Sequence, residues 1–303
     1  MSIHAVIDCG TNSIKFHVAE RGPDGAFRPL ADRAEVARLG EGLRETGAIA
    51  PAAIERSVAA IAGMVAEARR LGADTIDAVG TMGMRAASNA ASFLARIEFE
   101  TGVAMEVISG EEEGRLAYVA VQSGLGLGEG RLVILDTGGG STQFTFGHGT
   151  AVDERFSLDI GAVRLTDQYR LGGAISREAL DQALDAIAAE FARLDGRPAP
   201  DALVGMGGAI TNMTAVMLAL DPYDPDRVQG ATLTRAEVER QLEMYRSRDV
   251  AARREIVGLQ PKRADVILAG ACVVRTVMMK LGRDALTVSD RGLRHGLLVD
   301  RYA

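Results

Sequence analysis

From its third residue the chain alternates between short apolar runs that end near glycine and longer stretches whose apolar residues return every three or four positions. HAVIDCG is apolar up to an Asp and a Gly, and IKFHVAE alternates after a short polar turn. Residues 4–20 therefore predict a β-hairpin. Two more strands are predicted, at 26–32 (AFRPLAD) and 34–40 (AEVARLG). Pro51 opens a helical stretch that closes with Arg69, Arg70 and Gly72. A strand at 75–81, a helix at 83–102, a strand at 104–109 and a helix at 110–126 follow.

The opening signature then returns. RLVILDTGGG is an apolar run ending in Asp and glycines, and STQFTFG alternates like the second arm of a hairpin. Asp8 and Asp136, which end the two runs, stand 128 residues apart. Strand 151–159, helices 161–173 and 176–194, strand 201–208 and helix 209–221 come next. The rest reads as mostly helical, with a strand at 285–289 and a closing helix at 291–303. The duplication alone sets the expected domains, 1–122 and 123–303, in an α/β protein.

Composition narrows the picture. A chain of 303 residues with 35 glycines and a formal charge of −7 has no surplus of positive surface for nucleic acid. A phosphate-rich ligand would be met by local basic side chains and backbone amides. The absence of a long apolar run argues against a membrane span, and the N-terminal pattern against a secretory signal, so a cytoplasmic protein is expected. Cys9 and Cys272 read as reduced, buried thiols. His4, His17, His148 and His295 show no ligand spacing, which argues against a histidine-built metal site.

Chemistry concentrates at the glycine turns. The first loop is Asp8-Cys9-Gly10-Thr11-Asn12-Ser13 and the second Asp136-Thr137-Gly138-Gly139-Gly140-Ser141-Thr142. Consecutive glycines let several amides point into one concavity, a nest for an oxyanion, and the hydroxyls add donors. Asp8, Asp136 and Glu113 are candidate holders of Mg²⁺ beside phosphates. A third turn, with Gly207 and Gly208, lies between a strand and a helix, where an anion is favoured. Glu111, Glu112 and Glu113 open another helix, and their mutual repulsion would raise one carboxyl enough to serve as general base. Arg85 is a candidate clamp for transferring oxygens. Lys15, Arg164, Arg291 and Arg294 are candidates for a basic lining, and the apolar stretch VILAGACVVRTVMMKL is core or a homodimer face.

Two phosphate loops facing across a cleft resemble the actin–hexokinase–Hsp70 (ASKHA, ribonuclease H-like) superfold. The segments DCGTNSIKF, RLGEGLRETGAI, GTMGMRAASN, VISGEEEGRLAYVAV, LDTGGGSTQF, DIGAVRLTDQY, VGMGGAIT and LTVSDRGLRHGLL resemble, in order, the exopolyphosphatase / guanosine pentaphosphate phosphatase (Ppx/GppA) family. That resemblance implies two actin-like domains, Mg²⁺ with or without K⁺, and release of terminal phosphate from inorganic polyphosphate or guanosine pentaphosphate. It places the catalytic base at Glu113 beside Glu112, a phosphate-contacting arginine at Arg85, and metal and phosphate binding at Asp136, Gly138, Gly139 and Gly140. Asp8, Thr11, Asn12 and Ser13 fall on the first phosphate loop. Three positions depart from the family pattern: Gln143 and His295 replace acids, and Ala209 replaces a threonine. Gln143 keeps an acceptor but cannot act as a base or a charged ligand. A phosphohydrolase, a phosphate-chain or alarmone sensor that turns over slowly, and a kinase of the same superfold are the readings left open. The glutamates at 111–113 argue against the kinase.

Overall fold

Strand β1 (Ser2–Cys9) is buried from His4 onward because both of its faces are covered. Ala5, Ile7 and Cys9 enter one core with Ile61, Met64 and Phe93, while Val6 enters another with Val79, Leu116 and Leu297. The computed structural model describes residues 1–125, 130–148 and 151–303. They form two units, Met1–Ser123 with Leu293–Ala303, and Gly124–Gly292.

In the first unit β1 is followed by β2 (Ile14–Arg21), β3 (Phe27–Glu35), α1 (Leu43–Thr46), α2 (Pro51–Arg70), β4 (Thr75–Gly80), α3 (Met82–Ala86), α4 (Ala90–Thr101), β5 (Met105–Val107) and α5 (Gly110–Leu125). Residue 126, where the sequence ends the last of these helices, lies outside the described residues. The sheet order is β3-β2-β1-β4-β5, antiparallel across β3-β2-β1 and parallel across β1-β4-β5.

The strand expected at 34–40 is not formed. One strand runs through Glu35, and the chain then leaves the sheet with Arg38 at φ 53, because the amides of Arg38 and Gly40 are taken up by loop carbonyls of Asn12 and Thr11. The single helix expected at 83–102 is two. Ala87 is extended and the Asn89 side chain bonds Ile49 N and O at 2.9 and 3.0 Å, which separates α3 from α4.

The second unit holds β6 (Arg131–Thr137), β7 (Thr142–His148), β8 (Ala151–Leu158), α6 (Ala162–Tyr169), α7 (Arg177–Glu190), β9 (Ala202–Met206), α8 (Gly208–Met217), α9 (Pro225–Val228), β10 (Thr232–Thr234), α10 (Arg235–Arg246), α11 (Val250–Arg254), α12 (Ile267–Lys280) and β11 (Ala285–Ser289). Its sheet order is β10-β11-β9-β6-β7-β8. Apart from β10, the order and strand directions repeat those of the first sheet. The C-terminal apolar stretch is core: α12 buries Ile267 through Val274 along one continuous run, and only Met279 is a large exposed apolar side chain on it.

The boundaries differ from those drawn from the duplication. The last helix, α13 (Leu293–Tyr302), belongs to the first unit, where Leu293, Leu297 and Leu298 cover the second face of β1 and β4. Gly296 permits that return, since a Cβ there would stand 2.0 Å from Leu116 O. Among the described residues no helix is long and apolar enough to cross a membrane.

Candidate functional site

In the second unit β6 and β7 pair in register, with Asp136 opposite Gln143 and Thr137 opposite Thr142. The turn between them is closed by Gly138 N donating to Ser141 O at 2.9 Å. Behind the turn, the first amides of α6 donate to it: Ala162 N to Gly138 O at 3.0 Å and Val163 N to Gly139 O at 2.8 Å. A peptide's carbonyl and amide point opposite ways, so anchoring these two carbonyls turns the amides of Gly139 and Gly140 to the other side. Neither amide is used in the hydrogen bonds within the described residues. Two neighbouring amides turned to one side are the arrangement that an oxyanion nest requires. Glycine is needed behind it as well, because a Cβ on Gly161 would stand 2.5 Å from Gly139 O.

Asp136 is buried, and its Oδ1 lies where a Cβ on Gly207 would come within 2.8 Å. Gly207, at φ +97, leads into α8, so this carboxylate sits against the turn that starts that helix. The amide of Gln143 is oriented by donation from Nε2 to Ser141 Oγ at 2.8 Å and to Ser157 Oγ at 3.1 Å. Thr142 donates to Ile160 O at 2.6 Å and meets the Thr137 hydroxyl at 3.1 Å, so its hydroxyl fastens the hairpin from within. The Ala209 methyl faces Gly270 of α12, where a Cβ would be only 2.5 Å away, so this departure lies in helix packing.

The first unit builds its turn the same way. Gly10 N donates to Ser13 O at 3.1 Å, and the carbonyls of Thr11 and Asn12 are held by Gly40 N and Arg38 N at 2.8 and 2.9 Å. Thr11, Asn12 and Ser13 are all buried. Asp8 is also buried and pairs in register with Lys15, whose Nζ lies 3.3 Å from Asp8 Oδ2. The cross-strand partner of the aspartate is thus a cation in one hairpin and an amide in the other.

Glu113, on the first turns of α5, is buried at 4% exposure, and its Oε1 meets Arg85 Nη1 at 2.6 Å. The same Nη1 donates to Ile108 O at 2.6 Å. The short helix α3 that carries Arg85 also brings Gly83 against the Thr11 hydroxyl, so loop, arginine and glutamate are neighbours in one unit. The acids at 111–113 diverge: Glu112 makes a two-point pair with Arg115 at 2.7 and 2.9 Å, and Arg115 also pairs with Asp300. That pairing with Arg115 holds the Asp300 carboxyl below its usual range.

The four proposed lining cations have other neighbours. Lys15 meets Asp8, Arg164 meets Glu190 at 2.8 Å, and Arg294 meets Asp32 at 2.7 Å. Arg291 lies where a Cβ on Gly124 would stand. Sequence reading missed Arg263, which is buried with its guanidinium against Gly208 and its Nε 3.0 Å from Gln260 Oε1. Burial pushes that guanidinium below its ordinary value. It also missed that the fold gathers His17, Asp32 and His295, residues without any sequence spacing to announce them. Burial, reinforced by Arg294, pushes the His295 imidazole down to about 3. At Asp32, His17, His295 and Arg294 outweigh the opposing effect of burial and hold the carboxyl far below its usual range. Both cysteines are free and buried, with the Cys272 thiol pushed up to about 12 by burial.

The model of the Ppx/GppA phosphatase family matches residues 18–303. Exopolyphosphatase 2 of Mycobacterium tuberculosis is 32% identical over 321 residues, which cover 97% of this chain and 96% of that protein. The bifunctional 3-dehydroquinate synthase/phosphatase of Fusobacterium nucleatum is 26% identical over 98% of this chain, which spans only 46% of that relative's length. A solved Ppx/GppA family member from Aquifex aeolicus superposes with a TM-score of 0.83 at 32% identity, covering 99% of this chain and 97% of its own. The likeness carries the two actin-like domains that the paired hairpins led us to expect.

Proposed function

Since the chain belongs to the Ppx/GppA phosphatase family, we propose that it hydrolyses the terminal phosphoanhydride bond of inorganic polyphosphate, with guanosine pentaphosphate as a second substrate. The observation that carries this reading is the repeated hairpin turn whose carbonyls are anchored from behind. Such turns hold oxyanions without demanding a basic surface, which the net charge of −7 does not supply. The name of the mycobacterial relative, an exopolyphosphatase, supports the polyphosphate assignment.

Glu113 accepts a proton from the attacking water, its carboxylate oriented through Oε1 by Arg85. Arg85 also offers its remaining N–H groups to phosphoryl oxygens. Each unit offers phosphate oxygens its own seat, the amides of Gly139 and Gly140 in one and the loop of Thr11–Ser13 in the other. Asp136 and the Gln143 amide oxygen present an all-oxygen donor set, which suits Mg²⁺, an ion that keeps several waters and takes few protein carboxylates. Asp8 and Glu113, the other carboxylates considered for the ion, stand beside Lys15 and Arg85. Bound at Asp136, Mg²⁺ would neutralise charge on the phosphate oxygens.

A second reading rests on Gln143. With an amide where a charged ligand would strengthen cation binding, the chain would hold phosphate tightly and turn over slowly, as a sensor does. Phosphate release with Mg²⁺, from short polyphosphate, long polyphosphate and guanosine pentaphosphate in parallel, separates the two. Release is expected, with Glu113→Gln lowering kcat by roughly 10²–10⁴-fold and leaving KM close to its original value. Binding without release from any of the three would overturn the hydrolase in favour of the sensor.

A further inference from the structure

Strands β2 and β3 place His17 and Asp32 directly opposite one another, and α13 sets His295 on the same pair. Asp32 Oδ2 lies 3.1 Å from His17 Nδ1 and 2.9 Å from His295 Nε2, and the three donor atoms lie within 4.8 Å of one another. His17 is only 5% exposed, and its Nδ1 makes no aligned hydrogen bond despite its closeness to the carboxylate. A buried ring nitrogen in that state is costly unless something else takes its lone pair. We propose that His17 Nδ1, Asp32 Oδ2 and His295 Nε2 bind a divalent transition-metal ion of the Zn²⁺ class.

The donor set decides the kind of ion. Two imidazoles and one carboxylate suit Zn²⁺, Co²⁺ or Ni²⁺, whereas Mg²⁺ prefers the oxygens found at Asp136. Bond lengths of about 2.0–2.2 Å around a tetrahedral ion set its donor atoms roughly 3.3 Å apart. The two contacts to Asp32, 2.9 and 3.1 Å, need to open only slightly to reach that spacing, and the two ring nitrogens, which lie within 4.8 Å of each other, would be drawn in by the ion. Entry is from the Asp32 side, whose side chain is 28% exposed. Arg294 grips the other carboxylate oxygen, Oδ1, through Nε at 2.8 Å and Nη2 at 2.7 Å. That grip turns Oδ2 toward the imidazoles, as outer-shell partners of metal ligands do. The arginine's charge opposes a dication, so the affinity is set below that of closed four-ligand sites.

The consequence is mechanical. Two ligands stand on the β2–β3 ribbon and the third on the helix that brings the chain back to the first unit, so the ion fastens α13 to the sheet. The test uses the full chain stripped with chelator and held in excess Mg²⁺, with Co²⁺ as an optical probe and Zn²⁺ in calorimetric titration. One ion per chain is expected, with visible Co²⁺ bands of nitrogen and oxygen ligation and a Zn²⁺-dependent rise in Tm. His17→Asn and His295→Gln should each weaken binding at least about tenfold, the scale seen when support of a metal site is removed. His295 stands at the edge of the cluster, so H295Q keeps the test decisive if the His17 variant misfolds. No uptake by the wild-type chain, or uptake that H295Q leaves unchanged, overturns the proposal.

Discussion

Gln143 and Asp136 face each other across two antiparallel strands, both buried, and the charge of this pair is decided by one atom. Replacing Gln143 by Glu puts two carboxylates in register, and like charges directly opposite destabilise a ladder. The Ser141 and Ser157 hydroxyls can reverse and donate to the new carboxylate, so repulsion is the main effect rather than a lost hydrogen bond. Without divalent cation, Q143E is expected to lose about 1–3 kcal/mol, and each kcal/mol lowers Tm by roughly 2–4 °C in a unit of this size. With Mg²⁺ the sign reverses: the variant should gain more Tm than the wild type, and phosphate release should rise. Scanning calorimetry in chelator and in Mg²⁺ checks this, and identical Mg²⁺ responses would remove Gln143 from the cation site. The hairpin that carries Asp136 and Gln143 was legible in the sequence from its two apolar arms and its glycine turn, whereas the opposition of these two residues emerged only in the fold. Arg263 was not legible either, since its place against Gly208 depends on how the segment before α12 packs, far along the chain.

At the scale of elements, each glycine turn works because a second segment holds its carbonyls. In the second unit this is the start of α6, and in the first it is the Arg38–Gly40 stretch that sequence periodicity made into a strand. Alternation of apolar and polar residues describes Arg38–Gly40 well enough, yet its amides have partners in the loop and not in the sheet. Periodicity cannot see that competition. Gly161→Ala tests the holding role directly, because the new methyl meets Gly139 and Gly140 backbone at 2.5–2.6 Å while φ −145 remains ordinary for alanine. Relief requires α6 to move back, at a cost of about 1–3 kcal/mol for overpacking, and releases the Gly138 and Gly139 carbonyls. The expected outcome is a rise in KM for polyphosphate larger than the small loss of Tm implies. An unchanged KM at lowered Tm would mean that the nest keeps its shape without the helix.

The whole molecule shows what duplication in a sequence hides. Two hairpins 128 residues apart mark two halves, and the simplest division gives everything after the second hairpin to the second half. The fold instead returns Leu293–Ala303 to the first unit, and the reason lies in β1, which is apolar on both faces and needs a cover on each. Helix α2 lies over one face and α13 over the other. Leu293, Leu297 and Leu298 are each at most 3% exposed, and fully burying a leucine contributes about 1.5–3 kcal/mol. Their joint removal therefore approaches the ~5–15 kcal/mol that holds a domain folded. Ending the chain at Gly292 should unfold the first unit while Gly124–Gly292, whose core lacks any residue of α13, stays folded. Hydrogen exchange and limited proteolysis read this unit by unit: protection lost across β1, β2 and β4 and kept across β6, β7 and β9 is the expected pattern. Equal loss in both units would mean that the second depends on the first for its stability, and equal retention would mean that the second face of β1 does not need the helix.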